Sequence, residues 1–170
     1  DNRNLTQVVL VGSSMGGVVA QHFALRHPTR LLRLLLVSTG AVMADPVTAL
    51  AKGDAIAAAP WDEDAVRPIV QGFFRRPLAA ADFDRYRRIA LMASHQAAIE
   101  ANQSNARSST LDRLYQITVP CLIIQGCRDQ ARTPEHGAEM RDRIPTARLE
   151  VLEESGHTPQ LEEPEAFHKI

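Results

Sequence analysis

Val9-Leu10-Val11-Gly12-Ser13-Ser14-Met15-Gly16-Gly17 is the stretch on which the reading of this chain turns. The apolar run from Leu5 to Val11 is rich in Val and Leu, as strands are, and it ends at a glycine. From Met15 to His27 the periodicity becomes helical: Val19 and Phe23 fall four apart, as do Ala20 and Ala24, and Pro28 stops the pattern. Between the two lies Gly12-Ser13-Ser14-Met15-Gly16, a G-x-S-x-G sequence. Such a serine stands clear of a sheet on a sharp strand-to-helix turn, where strained backbone wants glycine on both sides. The helix that follows aims backbone N–H groups at any oxyanion forming beside the serine, and the amide of Met15 is the nearest. With 9 glycines in the chain, chance supplies roughly 0.02 such matches, so the motif with its strand and helix flanks stands above coincidence.

Outward from the motif, Leu34 to Val37 is a second apolar run, closed by Ser38-Thr39-Gly40. Strand, helix and strand in this order form a βαβ crossover, and fully apolar strands belong to a parallel sheet buried on both faces. Residues 45–115 change character: Ala, Arg and Asp dominate, four prolines interrupt, and no strand signal occurs. Helical spacing shows over Ala65 to Phe74 and through Phe83, Tyr86, Arg87, Ile89 and Ala90, so the segment is a helical insertion between strands. Val119 to Gly126 is a third strand and Ala147 to Leu152 a fourth. Between them Pro134 to Ile144 is a helix, with Thr133 placed to cap it. Glu153 to Pro164 is a loop, and a last helix starts at Pro164.

Bulk composition narrows the function classes. The 170 residues carry 19 basic and 20 acidic side chains, a net charge of −1, which gives no electrostatic reason for a nucleic acid or an anionic membrane as partner. Hydrophobic content of 45% and charged content of 23% fit a globular domain rather than a disordered chain. The aliphatic runs are far shorter than the roughly 20 residues a membrane-spanning helix needs. No basic-then-apolar leader opens the chain, so a cytoplasmic location is the expectation. The start at Asp1 without Met suggests residues upstream. Cys121 and Cys127 lack C-x-x-C spacing and read as a core residue and a loop residue. Neither H-E-x-x-H nor G-x-G-x-x-G nor a P-loop occurs, so neither a metal nor a cofactor is expected.

A serine hydroxyl is a weak nucleophile until a base takes its proton, and the base needs an acid to orient it. Five of the six histidines (His22, His27, His95, His136 and His168) lie in helical segments and read as packing or surface residues. His157 lies just beyond the fourth strand, in Ser155-Gly156-His157-Thr158. Asp129 has the equivalent place beyond the third, in Gly126-Cys127-Arg128-Asp129. Open parallel sheets bind ligands at the carboxyl ends of their strands, so Ser14, Asp129 and His157 share one edge. Asp45, past the second strand, faces the same edge and is a rival acid; Asp129 has a helix cap, and His157 a loop closure, as the alternative role.

These residues resemble the α/β-hydrolase superfamily, in its esterase, lactonase and carbon–carbon hydrolase branches. Val9 to Gly17 is similar to the family's nucleophile elbow, Val119 to Asp129 to its acid-bearing strand, and Ser155-Gly156-His157 with Glu162 to Phe167 to its histidine loop and last helix. The order Ser, Asp, His matches too. The resemblance implies a parallel doubly wound sheet of which residues 1–170 hold the later strands, with residues 45–115 as a helical lid. It also implies hydrolysis of an ester, a lactone or another small-molecule acyl substrate through an acyl-serine. Carbon–carbon cleavage by the same residues, or a silent ligand-binding or inactive piece, are the alternatives. The family's second oxyanion donor and earlier strands lie upstream of Asp1, so the strand from Leu5 to Val11 is expected to pair with a segment outside these residues or to leave an edge open to a second copy.

Overall fold

Four apolar runs pair into one parallel sheet in the computed structural model, which describes residues 5–43 and 45–170. The strands are β1 (Val8–Ser13), β2 (Leu31–Val37), β3 (Cys121–Gly126) and β4 (Ala147–Leu152), and they lie side by side in chain order. Ser13 pairs with Val37, Val37 with Ile124 and Gly126 with Leu152, so the four carboxyl ends fall along one edge. β1 lies further along the chain than the expected Leu5 to Val11: it starts only at Val8, where pairing with β2 begins, and continues through Gly12 and Ser13, because the ladder with β2 runs to its end. β2 starts early, at Leu31, with exposed Leu32 and Arg33 inside it; pairing with β1 extends it beyond its apolar core.

Alternation along each strand buries both faces of the sheet. One face carries Leu34, Leu36 and Ile123, packed with Ala20 and Ala24 of α1 (Met15–Arg26) and Met140 of α6 (Pro134–Arg143). Val37, Ile124 and Leu152 form the other core, against Leu122, Ala166 and Phe167. Removing a fully buried side chain such as Leu36 costs about 2–5 kcal/mol in cores of this kind. β1 has a strand neighbour on one side alone among the described residues, and Val9 and Val11 are exposed.

The chain divides into two compact units. One runs to Val42 and resumes over Ser109–Ile170; the other is Met43–Ser108. The second is wholly helical, with α2 (Pro46–Ala58), α3 (Glu63–Gln71), α4 (Ala80–Leu91) and α5 (His95–Arg107). In it α2 packs on α5 and α3 on α4, around buried Ala49, Val66, Val70 and Ala106. α3 carries Pro68 inside it and ends at Gln71, before Phe74. The stretch from Leu111 to Gln116 is a 3-10 helix belonging to the sheet-bearing unit, where Leu114 and Ile117 enter its core. The loop after β4 contains a one-turn helix, α7 (Pro159–Glu162), followed by α8 (Pro164–Phe167); prolines at both starts preset the backbone.

Candidate active site

At the end of β1 the Ser14 N–H donates to the Val37 carbonyl (2.9 Å), continuing the ladder by one bond. The chain then turns abruptly. Ser14 has φ 53° and ψ −122°, a region that costs a residue with a Cβ about 1–3 kcal/mol. The strain therefore rests on the serine itself, and no described glycine has positive φ, which corrects the expectation that the flanking glycines absorb it. Gly12 is needed for space instead: a Cβ there would strike the backbone of Gly16 and come within 2.8 Å of Ala20 Cβ. A Cβ at Gly16 would meet nothing within 4 Å. Ser14 occupies the cap position of α1 without capping it, because its hydroxyl is engaged elsewhere: Oγ lies 2.8 Å from His157 Nε2.

His157 is buried, and its Nδ1 lies 2.7 Å from Asp129 Oδ2. A carboxylate accepts only, so Nδ1–H donates to Asp129 and Nε2 is left to accept from the Ser14 hydroxyl. The Asp129 side chain is fully buried, and its other oxygen, Oδ1, accepts from the N–H groups of Ala131 and Arg132, each at 2.9 Å. These two bonds form a turn within the loop rather than a cap on α6. The buried Arg132 donates from Nη1 to the Val42 carbonyl (2.8 Å). Burial works against its charge, and the Asp129 carboxylate partly restores it.

The loop bearing His157 is tied down on both sides of the histidine. Glu162 Oε2 accepts from Gly156 N–H (2.8 Å), Thr158 N–H and the Thr158 hydroxyl (both 3.3 Å). Glu163 Oε2 accepts from Glu154 N–H (3.0 Å) and the Ser155 hydroxyl. On β3, a Cβ at Gly126 would strike the backbone of Ser155 and Gly156, so glycine there lets this loop close onto the sheet. Arg132, Glu162 and Glu163 escaped the sequence reading as site-supporting residues. Carboxylates five and six positions past a loop histidine were the available signal.

Met15 opens α1, so its N–H is among the helix-start amides without an intrahelical acceptor. Asp45 does not join the group: it caps α2 by accepting from Thr48 N–H (3.0 Å), and hydrogen bonding with Thr48 holds its carboxyl below the usual range. Thr133 sits at the cap position of α6, but its hydroxyl meets His136 Nδ1 (3.2 Å) instead of a backbone amide. His95 bonds the Ile56 carbonyl (2.7 Å) and stacks on Trp61; His27 packs on Phe23 and His168 on Phe167. His22 loses basicity to burial and to the charges of Arg113 and Arg26. Cys121 is buried and its thiol is pushed up to about 12 by desolvation. Among the described residues no three His, Cys, Asp or Glu side chains are grouped to hold a metal, and no helix is long and apolar enough to cross a membrane.

Comparison with known proteins places this geometry in context. Residues 2–170 match the model of the alpha/beta hydrolase family. The chain is 26% identical over 175 residues to 3-oxoadipate enol-lactonase 2 of Acinetobacter baylyi, covering 99% of this chain and 63% of that protein. It is also 26% identical over 181 residues to 2-hydroxy-6-oxo-6-phenylhexa-2,4-dienoate hydrolase of Comamonas testosteroni, covering 100% and 63%. Among solved structures, an esterase of Exiguobacterium antarcticum superposes with a TM-score of 0.91 at 26% identity, over 99% of this chain and 66% of that one. The chain thus spans a little under two thirds of the length of these curated relatives. With the four-stranded parallel sheet and its flanking helices, the match over nearly every residue settles the assignment: the chain belongs to the alpha/beta hydrolase family.

Proposed function

We propose that this chain carries the nucleophile, base and acid of a serine hydrolase acting on a carboxylic ester or lactone. The observation that supports it most is the unbroken chain of hydrogen bonds from Ser14 Oγ through the His157 ring to the buried Asp129 carboxylate. His157 Nε2 takes the Ser14 proton as Oγ attacks the acyl carbon. The tetrahedral oxyanion is met by the Met15 N–H at the start of α1. The intermediate collapses as His157 gives the proton to the departing alkoxide, leaving an acyl-serine. Water then repeats the cycle: His157 removes its proton, the hydroxide attacks the acyl carbon, and Ser14 leaves with that proton as the acid is released. Asp129 holds the imidazole in the required tautomer and stabilises the imidazolium.

The relative named for 2-hydroxy-6-oxo-6-phenylhexa-2,4-dienoate favours one second reading, carbon–carbon hydrolysis by the same three residues. The helical unit Met43–Ser108 is proposed as the lid that selects between such substrates. The test is labelling of the native protein with a fluorophosphonate, followed by peptide mapping. Ser14 is expected to carry the label, and Ser14→Ala to lose both label and turnover of a nitrophenyl ester. Label at Ser13, or label persisting in Ser14→Ala, refutes the assignment. Turnover of the dienoate well above that of esters selects the second reading.

A further inference from the structure

Ser14 is held in a conformation it would not choose, and the hydrogen bonds that hold it end on a residue outside the Ser14–His157–Asp129 chain. Thr39, two positions past β2 and fully buried, donates its hydroxyl to the Ser14 carbonyl at 2.7 Å. That carbonyl also accepts a local bond, from the Gly17 N–H at 2.9 Å. Thr39 is pressed against the first turn of α1: a Cβ at Gly17 would come within 2.5 Å of its Cβ and Oγ1.

Thr39 is itself anchored. Its carbonyl accepts from Nε2 of the buried Gln125 (2.7 Å). The next three carbonyls are held in the same way: Gly40 by Gln21 Nε2 (3.2 Å), Ala41 by the N–H and hydroxyl of Thr110 (2.9 and 3.3 Å), and Val42 by Arg132 Nη1 (2.8 Å). Four consecutive carbonyls are thus bonded by side chains from α1, β3 and two loops, all of them buried. A strap fixed at every residue makes Thr39 a donor of fixed position. The Ser14 carbonyl direction is set by ψ, and a change of about 20° in that backbone angle carries Oγ through several tenths of an ångström, enough to lose the 2.8 Å contact with His157.

We propose that Thr39 is a positioning residue for the nucleophile: its hydroxyl locks the strained backbone of Ser14 so that Oγ stays on His157 Nε2. This rests on the serine-hydrolase reading above, and the tests separate the two. The parent protein, in the form in which it occurs naturally, is first titrated with a fluorophosphonate; failure of Ser14 to label is failure of that reading alone. Thr39→Val keeps the shape and removes the donor, and Thr39→Ser keeps the donor. Thr39→Val is expected to lower kcat per titrated Ser14 by about 10- to 100-fold with KM within twofold. Thr39→Ser is expected to stay within threefold of the parent. If Thr39→Val does not fold, Thr39→Ala against Thr39→Ser carries the same contrast. A structural role alone would move the melting temperature and not kcat per site. A second readout needs no turnover: the Ser14 carbonyl 13C resonance shifts in Thr39→Val and not in Thr39→Ser. A Thr39→Val protein with parental kcat, a loss confined to KM, a Thr39→Ser protein as slow as Thr39→Val, or an unmoved Ser14 resonance overturns the inference.

Discussion

Replacing Asp129 by Asn exchanges one oxygen for an NH2 group, and the structure decides which one. Oδ1 accepts two backbone N–H bonds, from Ala131 and Arg132, whereas Oδ2 accepts one bond, from His157. Turning the amide so that its NH2 faces the two amides would strand the buried Arg132 N–H, at about 1–3 kcal/mol, and the half-buried Ala131 N–H beside it. The asparagine oxygen therefore stays with the backbone, and its NH2 faces His157 Nδ1. The imidazole can satisfy that donor only by accepting at Nδ1, which places its proton on Nε2, opposite Ser14 Oγ. A base already protonated toward its nucleophile cannot activate it. Asp129→Asn is thus expected to lower kcat by roughly 10³ to 10⁴, about 4–5.5 kcal/mol of transition-state stabilisation, while the circular dichroism spectrum stays parental. Turnover of a nitrophenyl ester, normalised to fluorophosphonate-titrated sites, measures this. A loss below tenfold, or a larger loss in Asp45→Asn, would show that Asp129 is not the orienting acid.

Glu162→Ala removes the acceptor for the amides flanking His157, so kcat is expected to fall about tenfold and stability by about 2–3 kcal/mol, whereas Glu162→Gln, which keeps an acceptor oxygen, stays near the parent; an unaffected Glu162→Ala refutes the role. With the Cys121 thiol raised to about 12 by burial, the native protein should titrate one thiol, Cys127, with an aromatic disulfide reagent at about pH 8, and two when unfolded. The same shift means that this site favours the fold below the ordinary thiol range and that its contribution fades as pH rises from about 9 toward 12; rapid reaction of Cys121 in the native state would contradict both statements. A polypeptide of these 170 residues alone exposes the free side of β1 with Val9 and Val11, so light scattering should find it associated, and Val9→Lys with Val11→Lys should shift it toward monomer; a monomeric parent at tens of micromolar would refute this.

Much of the architecture was legible because parallel strands and their crossover helix are written locally. Val8 to Val11, Leu34 to Val37 and Cys121 to Ile124 are apolar on both faces, and the pattern changes to helical period at Met15. Strand ends were less legible, since β1 and β2 extend through Ser13 and Leu31 by pairing rather than by composition. By itself the sequence determined the strand–turn–helix around Ser14 and the succession of strand, then acid or histidine, that puts Ser14, Asp129 and His157 past carboxyl ends of one sheet. Tertiary structure alone decided that Asp129 rather than Asp45 meets the histidine, that the strain rests on Ser14 rather than on its glycines, and that Thr39 bonds the Ser14 carbonyl, the Arg132 N–H the Asp129 carboxylate, and Glu162 and Glu163 the loop around His157. The physical reason is range. Periodicity and turn chemistry act over a few neighbouring residues, whereas a hydrogen bond between Ser14 and His157 joins positions 143 apart and exists only once the sheet has set their strands in register.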